Sequence, residues 1–203
     1  MVVAYGVAVG LLIGWLRGGN LAGLRHLRLR LPWVILLAAP LQLLVIYDPW
    51  RIITDPAPAG VVMLLSYIPI TAFVMANRNV PGFRLITVGL AANLAVMLAN
   101  GGLMPVAPES IRSAGHREGQ ELVIGSRATG GKGIILPIEQ TRLAFLSDTI
   151  IVPMYPRPKL VSIGDIVAFG GLVWSVQMLM RRREPRDYPV PAKVPFPLLK
   201  TPK

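Results

Sequence analysis

Residues 61–76 read VVMLLSYIPITAFVMA and residues 85–98 read LITVGLAANLAVML. Neither stretch holds a charged side chain, and only the short polar connection Asn77–Arg84 divides them. Two more uncharged stretches precede them, Val2–Leu16 and Val34–Ile46. Charged residues make up 15% of the chain, well below the share of about a quarter usual for soluble domains. Together with a mean hydropathy of +0.57, this excludes a soluble globular enzyme and a disordered chain. The composition points to an all-α integral membrane bundle.

Five apolar segments are expected to be helical spans: Val2–Leu16, Trp33–Tyr47, Gly60–Ala76, Arg84–Ala99 and Ile163–Met180. A span of about 20 residues crosses the hydrocarbon core, so the first two are short. Snorkelling of Arg17 and Arg30 would extend them. The first segment has no basic stretch before it and no small-residue cleavage site after it, which argues against a cleavable signal peptide.

The net charge of +11 is placed on one side. With the N-terminus outside, the inner segments are Arg17–Arg30, Asn77–Arg84 and the tail from Arg181. They hold thirteen Lys and Arg against two acids, whereas the outer segments hold eight bases and eight acids. That is the positive-inside pattern, and it argues against nucleic acid as the partner. The expected location is a bacterial cytoplasmic (inner) membrane, with the C-terminus in the cytoplasm. Membrane lipids and other membrane subunits are the expected partners.

The organisation follows from these spans. Residues 1–99 form a four-helix membrane part, 100–162 an extracytoplasmic segment, 163–180 the last helix and 181–203 a basic, proline-rich cytoplasmic tail. The outer segment is too long for a plain loop. Its stretches Glu121–Gly125 and Gly133–Ile138 flank the turn-rich Ser126–Lys132 and predict a β-hairpin. Pro108–Ala114 suits one helical turn, and the prolines of Val152–Lys159 favour extended chain. The tail opens on Arg181, Arg182 and Arg183, which suit lipid headgroups or a partner.

No cofactor or metal is expected. The chain has no cysteine, and His26 and His116 fall on opposite sides of the membrane. Gly125–Gly133 resembles a phosphate loop only superficially, since its lysine is one place late and no Ser or Thr follows. Gly6, Gly10 and Gly14 mark one face of the first span for close helix packing, within the chain or with another subunit. Gln42, Ser66, Asn93 and Gln177 are the neutral polar groups inside the spans, too few for an ion path.

The outer ends of the last two spans carry the clearest local pattern. Asn100-Gly101-Gly102-Leu103-Met104-Pro105 closes the fourth span, and Ser162-Ile163-Gly164-Asp165 opens the fifth. On these motifs the sequence resembles an uncharacterised family of small bacterial multi-pass membrane proteins, which brings no established activity. Ser147, before Asp148, stands where that family has glycine. A more distant likeness is to lipoprotein signal peptidase, whose two aspartates lie in G-N-x-x-D-R and F-N-x-A-D elements near the outer face. That likeness implies Asp148 and Asp165, 17 residues apart, as a catalytic pair in which one carboxylate activates water and the other protonates the substrate. Here Thr149 follows Asp148, Ser162 stands in place of asparagine, and 48 residues separate Asn100 from Asp148. The plainer expectation is that Asp165 serves the helix N-terminus and that Asp148 pairs with Arg142 or Arg157.

Weighed together, these features favour a non-catalytic membrane subunit or assembly factor, with an intramembrane aspartyl peptidase and a small transporter as alternatives.

Overall fold

The computed structural model describes residues 2–48, 53–115, 121–128, 132–154 and 158–181. Each of the five apolar segments is a helix: α1 (Val2–Leu16), α2 (Ile35–Tyr47), α3 (Pro56–Ala76), α4 (Phe83–Ala99) and, after the one-turn-and-a-half α5 (Pro108–Ser113), α6 (Ile163–Met180). Of these, α3 and α6 are long and apolar enough to cross a membrane, while α1, α2 and α4 are shorter apolar helices. Two of these helices start on local signals. Pro56 opens α3 where its missing N–H costs nothing, and the Ser162 hydroxyl accepts the Asp165 N–H to cap α6.

The long helices neighbour one another in the order α1, α6, α4, α3, α2. Both contacts of α6 are made over glycine. A Cβ on Gly6 or Gly10 would lie 2.8 Å from Leu172 or Val176, and one on Gly14 would lie 2.5 Å from Met180. The glycine face of α1 is therefore spent on α6 of the same chain. On the other side, Gly82 and Gly89 meet Gly164 and Gly171, each pair seven residues apart. A Cβ on Gly89 would stand 2.3 Å from the Gly164 carbonyl oxygen. Small residues let the two backbones touch, which yields dispersion contact without lost side-chain entropy.

Beneath α2, α3 and α4 lies a core of Val45, Met63, Tyr67, Val96, Met97, Leu103 and Met104. Gln42 donates to the Ser66 hydroxyl at 3.3 Å inside the α2–α3 contact. At the far end of α2, Arg127 donates to the Val45 and Ile53 carbonyls and lies 3.7 Å from Asp48. It supplies a cation where the helix carbonyls run out of partners. The outward faces stay apolar: Trp15, Leu36, Val61, Ile68, Val88 and Leu98 are all more than half exposed.

The outer segment differs from the expected hairpin. Its strand β2 (Gly133–Ile135) pairs in parallel with β1 (Met104–Val106), not with Glu121–Gly125, which is not a strand. The reason is burial. Met104, Val106 and Ile135 are enclosed, whereas Val123 and Ile124 are exposed and gain nothing from a ladder. With the chain just before it β2 makes a shorter antiparallel contact: a bridge from Arg127 to Ile134, and hydrogen bonds from the Gly125 N–H to the Ile135 carbonyl, the Ile135 N–H to the Ser126 carbonyl and the Ala128 N–H to the Gly133 carbonyl. A true hairpin does form further on, between β3 (Ile150–Val152) and β4 (Lys159–Val161), at the two ends of the stretch expected to be extended. Trp50, His116, Arg157 and residues 182–203, including Arg182 and Arg183, lie outside the described residues.

Candidate functional site

The motif that closes α4 and the motif that opens α6 converge. Asn100 accepts the Arg142 N–H and returns a hydrogen bond to the Arg142 carbonyl, while also donating to Val96. Gly101 and Gly102 take positive φ, and Gly102 packs on the backbone of Gly60, where a Cβ would lie 2.5 Å from the Gly60 carbonyl oxygen. Met104 and Pro105 then enter β1, and the Pro105 carbonyl accepts the Asp148 N–H at 3.2 Å. The motif that closes α4 thus fixes both ends of residues 142–148 and places Asp148.

From the other side, Ser162 spends its hydroxyl twice. It accepts from the Asp165 N–H at 3.0 Å and donates to Asn93 Oδ1 at 2.8 Å. Asn93 in turn donates through Nδ2 to Asp165 Oδ1 at 2.7 Å. Gly164 permits this closure, because a Cβ there would lie 2.1 Å from Asn93 Oδ1. A capping hydroxyl, a buried amide and a carboxylate form one closed ring across the α4–α6 contact.

Asp148, Lys132 and Tyr67 complete the cluster. Burial pushes the Asp148 carboxyl up to about 7, the charge of Asp165 pushes in the same direction, and Lys132 opposes both. Its Oδ1 is buried without a hydrogen-bond partner among the described residues. Lys132 is held above the usual ammonium range, chiefly by the phenolic oxygen of Tyr67 against the cost of burial, with the two aspartates adding to the rise. Arg142 is exposed and tied by its backbone to Asn100, so it is not the partner of Asp148 that the sequence suggested. Ser147, standing where glycine was expected, is buried and donates to the Ala144 carbonyl, closing the turn before Asp148.

Lys132 and Tyr67 were missed in the sequence. Lys132 enters the sequence reading only as the misplaced lysine of a phosphate-loop-like stretch, and Tyr67 not at all. Neither has a local signal, since their proximity depends on β2 pairing with β1. An apolar cavity of about 280 Å3 reaches Asp165 from the side of α1, between Tyr5, Val152, Met154, Val161, Ile166 and Phe169. Among the described residues no cluster of three or more His, Cys, Asp or Glu could hold a metal. Gln177 accepts from Arg17 at 2.9 Å at the opposite end, so of the four polar span residues only Asn93 belongs to the site. Arg181 lies at that opposite end too, after the last turn of α6.

These features define a class: a bundle of apolar helices that carries a carboxylate, amide and lysine cluster where residues 100–162 close over α4 and α6. Residues 26–177 match a family of unknown function (DUF5317), and the chain belongs to that family. An uncharacterized protein of Thermotoga maritima is 28% identical over 148 residues, covering 72% of this chain and 73% of its own. No solved structure matches.

Proposed function

We propose that the chain is a multi-pass protein of the bacterial inner membrane, N-terminus outside, and that the outer cluster is the acid–base site of a hydrolase acting on a membrane substrate. Embedding all five long helices explains why their outward faces are apolar, since exposed Trp15, Leu36, Val61, Ile68 and Val88 would otherwise contact water. Helices α1 and α2, with 15 and 13 residues, are about 20 Å long against a core of about 30 Å, so their polar flanks must enter the interface.

The observation that carries the hydrolase reading is the Asp148 carboxyl, held near 7 by burial and by the facing Asp165, with one oxygen unpaired. The two carboxylates differ in their surroundings, and that difference assigns their roles. Asp165, bonded to the Asn93 amide, is the carboxylate that takes a proton from the attacking water. Asp148 is the acid that returns a proton to the leaving group. Lys132 offers positive charge where the oxyanion would develop. The apolar cavity beside Asp165 gives a route for substrate from the lipid side.

The same ring of contacts also supports a second reading, a non-catalytic subunit or assembly factor in which Lys132 and the two aspartates lock the outer segment onto the bundle. Asp148→Asn and Asp165→Asn separate the two. The hydrolase reading expects both variants to reach the membrane at wild-type levels while uncleaved membrane substrates accumulate in the cell's membrane proteome. An unchanged proteome, with other membrane proteins co-purifying in stoichiometric amounts, would favour the subunit.

A further inference from the structure

The opposite end of the bundle holds Arg17, Arg25, Arg28, Arg30, Arg78, Arg84 and Arg181, and among the described residues no Asp or Glu lies in its connections. Arg28 and Arg30 are set apart from the others by how they are held. They flank Leu29, which packs into the cluster of Phe73, Val74 and Phe83, and both arginines line one cavity. Their segment is clamped. The buried Asn77 side chain accepts the Arg30 N–H at 2.8 Å and donates to the Arg30 carbonyl at 2.9 Å, while also donating to Phe73. Its presentation is therefore rigid, although both side chains are exposed.

Between the clamp and the end of α6 is a second cavity of about 280 Å3, lined by Arg28, Arg30, Asn77, Asn79, Val80 and Leu179. Two guanidinium groups, which only donate, stand at its mouth with the exposed Asn79 carboxamide, whose NH2 can donate beside them, and a phosphate oxygen set is the matching acceptor. Just beyond Arg30, Leu31 takes a left-handed φ of 54° and turns the chain into Pro32 and Trp33. Trp33 and Leu36 are 59% and 67% exposed, which places an aromatic anchor and an apolar helix face next to the donors.

We propose that Arg28, Arg30 and Asn79 bind the phosphate of an anionic phospholipid, whose acyl chains lie along Trp33 and the start of α2. The inference rests on the membrane placement proposed above but not on the hydrolase site. It assigns a specific lipid seat to two arginines of a face whose charge alone would attract anionic lipid diffusely.

The test uses the full-length protein purified in a zwitterionic detergent and titrated with phosphatidylglycerol or phosphatidylcholine, with retained lipid read by native mass spectrometry. Wild-type protein should retain phosphatidylglycerol at least about tenfold more than phosphatidylcholine. The double variant Arg28→Gln/Arg30→Gln should lose that preference, and the exposed Arg84→Gln at the same end should keep it. The proposal is overturned by equal retention in the double variant, or by an equal loss in Arg84→Gln. It is also overturned if inorganic phosphate alone displaces the lipid at millimolar concentration, which would identify a soluble anion as the ligand. Beforehand, release of wild-type protein from membranes by alkaline carbonate would overturn the membrane reading as well. Retention without lipid preference would overturn the lipid seat alone.

Discussion

The two ends of the bundle handle charge in opposite ways. At one end seven described arginines are set on short connections with no acid beside them, and Arg25, Arg28, Arg30, Arg78, Arg84 and Arg181 are exposed. At the other, Asp148, Asp165 and Lys132 are drawn into the interior and matched to one another and to Asn93, Ser162 and Tyr67. Exposed charge is cheap to keep and tolerant of geometry, because solvent or headgroups screen it. Enclosed charge costs several kcal/mol per ion unless each group meets a partner, so its surroundings must be fixed to fractions of an ångström. The first end is built from composition and the second from contacts.

The largest effect is expected where the enclosed end meets its scaffold. Gly164→Val would drive a side chain into Asn93 Oδ1 and the Gly89 carbonyl, 2.1 and 2.7 Å from the Cβ position. Both obstacles belong to a packed helix, so α4 and α6 must separate. The expected outcome is loss of the folded protein, read as absent or aggregated material on size-exclusion chromatography in detergent. By contrast, Arg84→Gln at the exposed end should shift stability by no more than about 0.5 kcal/mol. A Gly164→Val protein that stays monodisperse with a wild-type melting temperature would show that the α4–α6 glycines do not set the backbone approach.

Next in size is Arg127, the one arginine among the described residues that behaves like the enclosed end. It donates to the Val45 carbonyl near the close of α2 and to the Ile53 carbonyl beyond it, and lies against Asp48, with both side chains mostly buried. Arg127→Met keeps much of the apolar stem but leaves the Val45 and Ile53 carbonyls without their donor and takes one charge away from beside Asp48. Removing one member of a buried pair costs about 3–5 kcal/mol. Thermal unfolding in detergent should fall accordingly, and restoring charge with Arg127→Lys should recover only part, since lysine lacks the fork that reaches both carbonyls.

How much of this was legible follows from the same contrast. The five long helices are within a few residues of where uncharged apolar runs placed them, because composition alone decides where a chain avoids water. The α1 face of Gly6, Gly10 and Gly14 was legible as small-residue spacing, though only the structure places α6 against it. The heptad-spaced Gly82, Gly89, Gly164 and Gly171 carried the same kind of signal across two distant segments and went unread. The motifs around Asn100 and Ser162 were visible as patterns, but their joint placement of Asp148 and Asp165 depends on long-range contacts. The expected hairpin is shortened to the antiparallel contact of residues 125–128 with β2, because β2 gains more burial from pairing with Met104 and Val106 than from exposed Val123 and Ile124. Lys132 and Tyr67 are 65 residues apart and join the cluster only through that pairing.

The smallest of these effects isolates one proton in the enclosed end. The Asp148 carboxyl titrates at about 7 in the folded protein against an ordinary value of 3.8. Folded protein therefore holds this proton more tightly than unfolded protein. The stabilising contribution is complete below about pH 4 and is lost as pH rises through about 7, so stability should fall across that window. Asp148→Asn mimics the protonated carboxyl and should flatten the slope. The variant should match wild type near pH 4 and exceed it above pH 7 by a few kcal/mol at most. Arg28→Gln, which touches only exposed charge, should leave the wild-type slope intact. Melting temperatures measured from pH 4 to 8 decide the matter: parallel profiles for wild type and Asp148→Asn would mean that Asp148 is ionised throughout. Its charge would then be compensated by Lys132 alone, and the acid role assigned to it would fall with the slope.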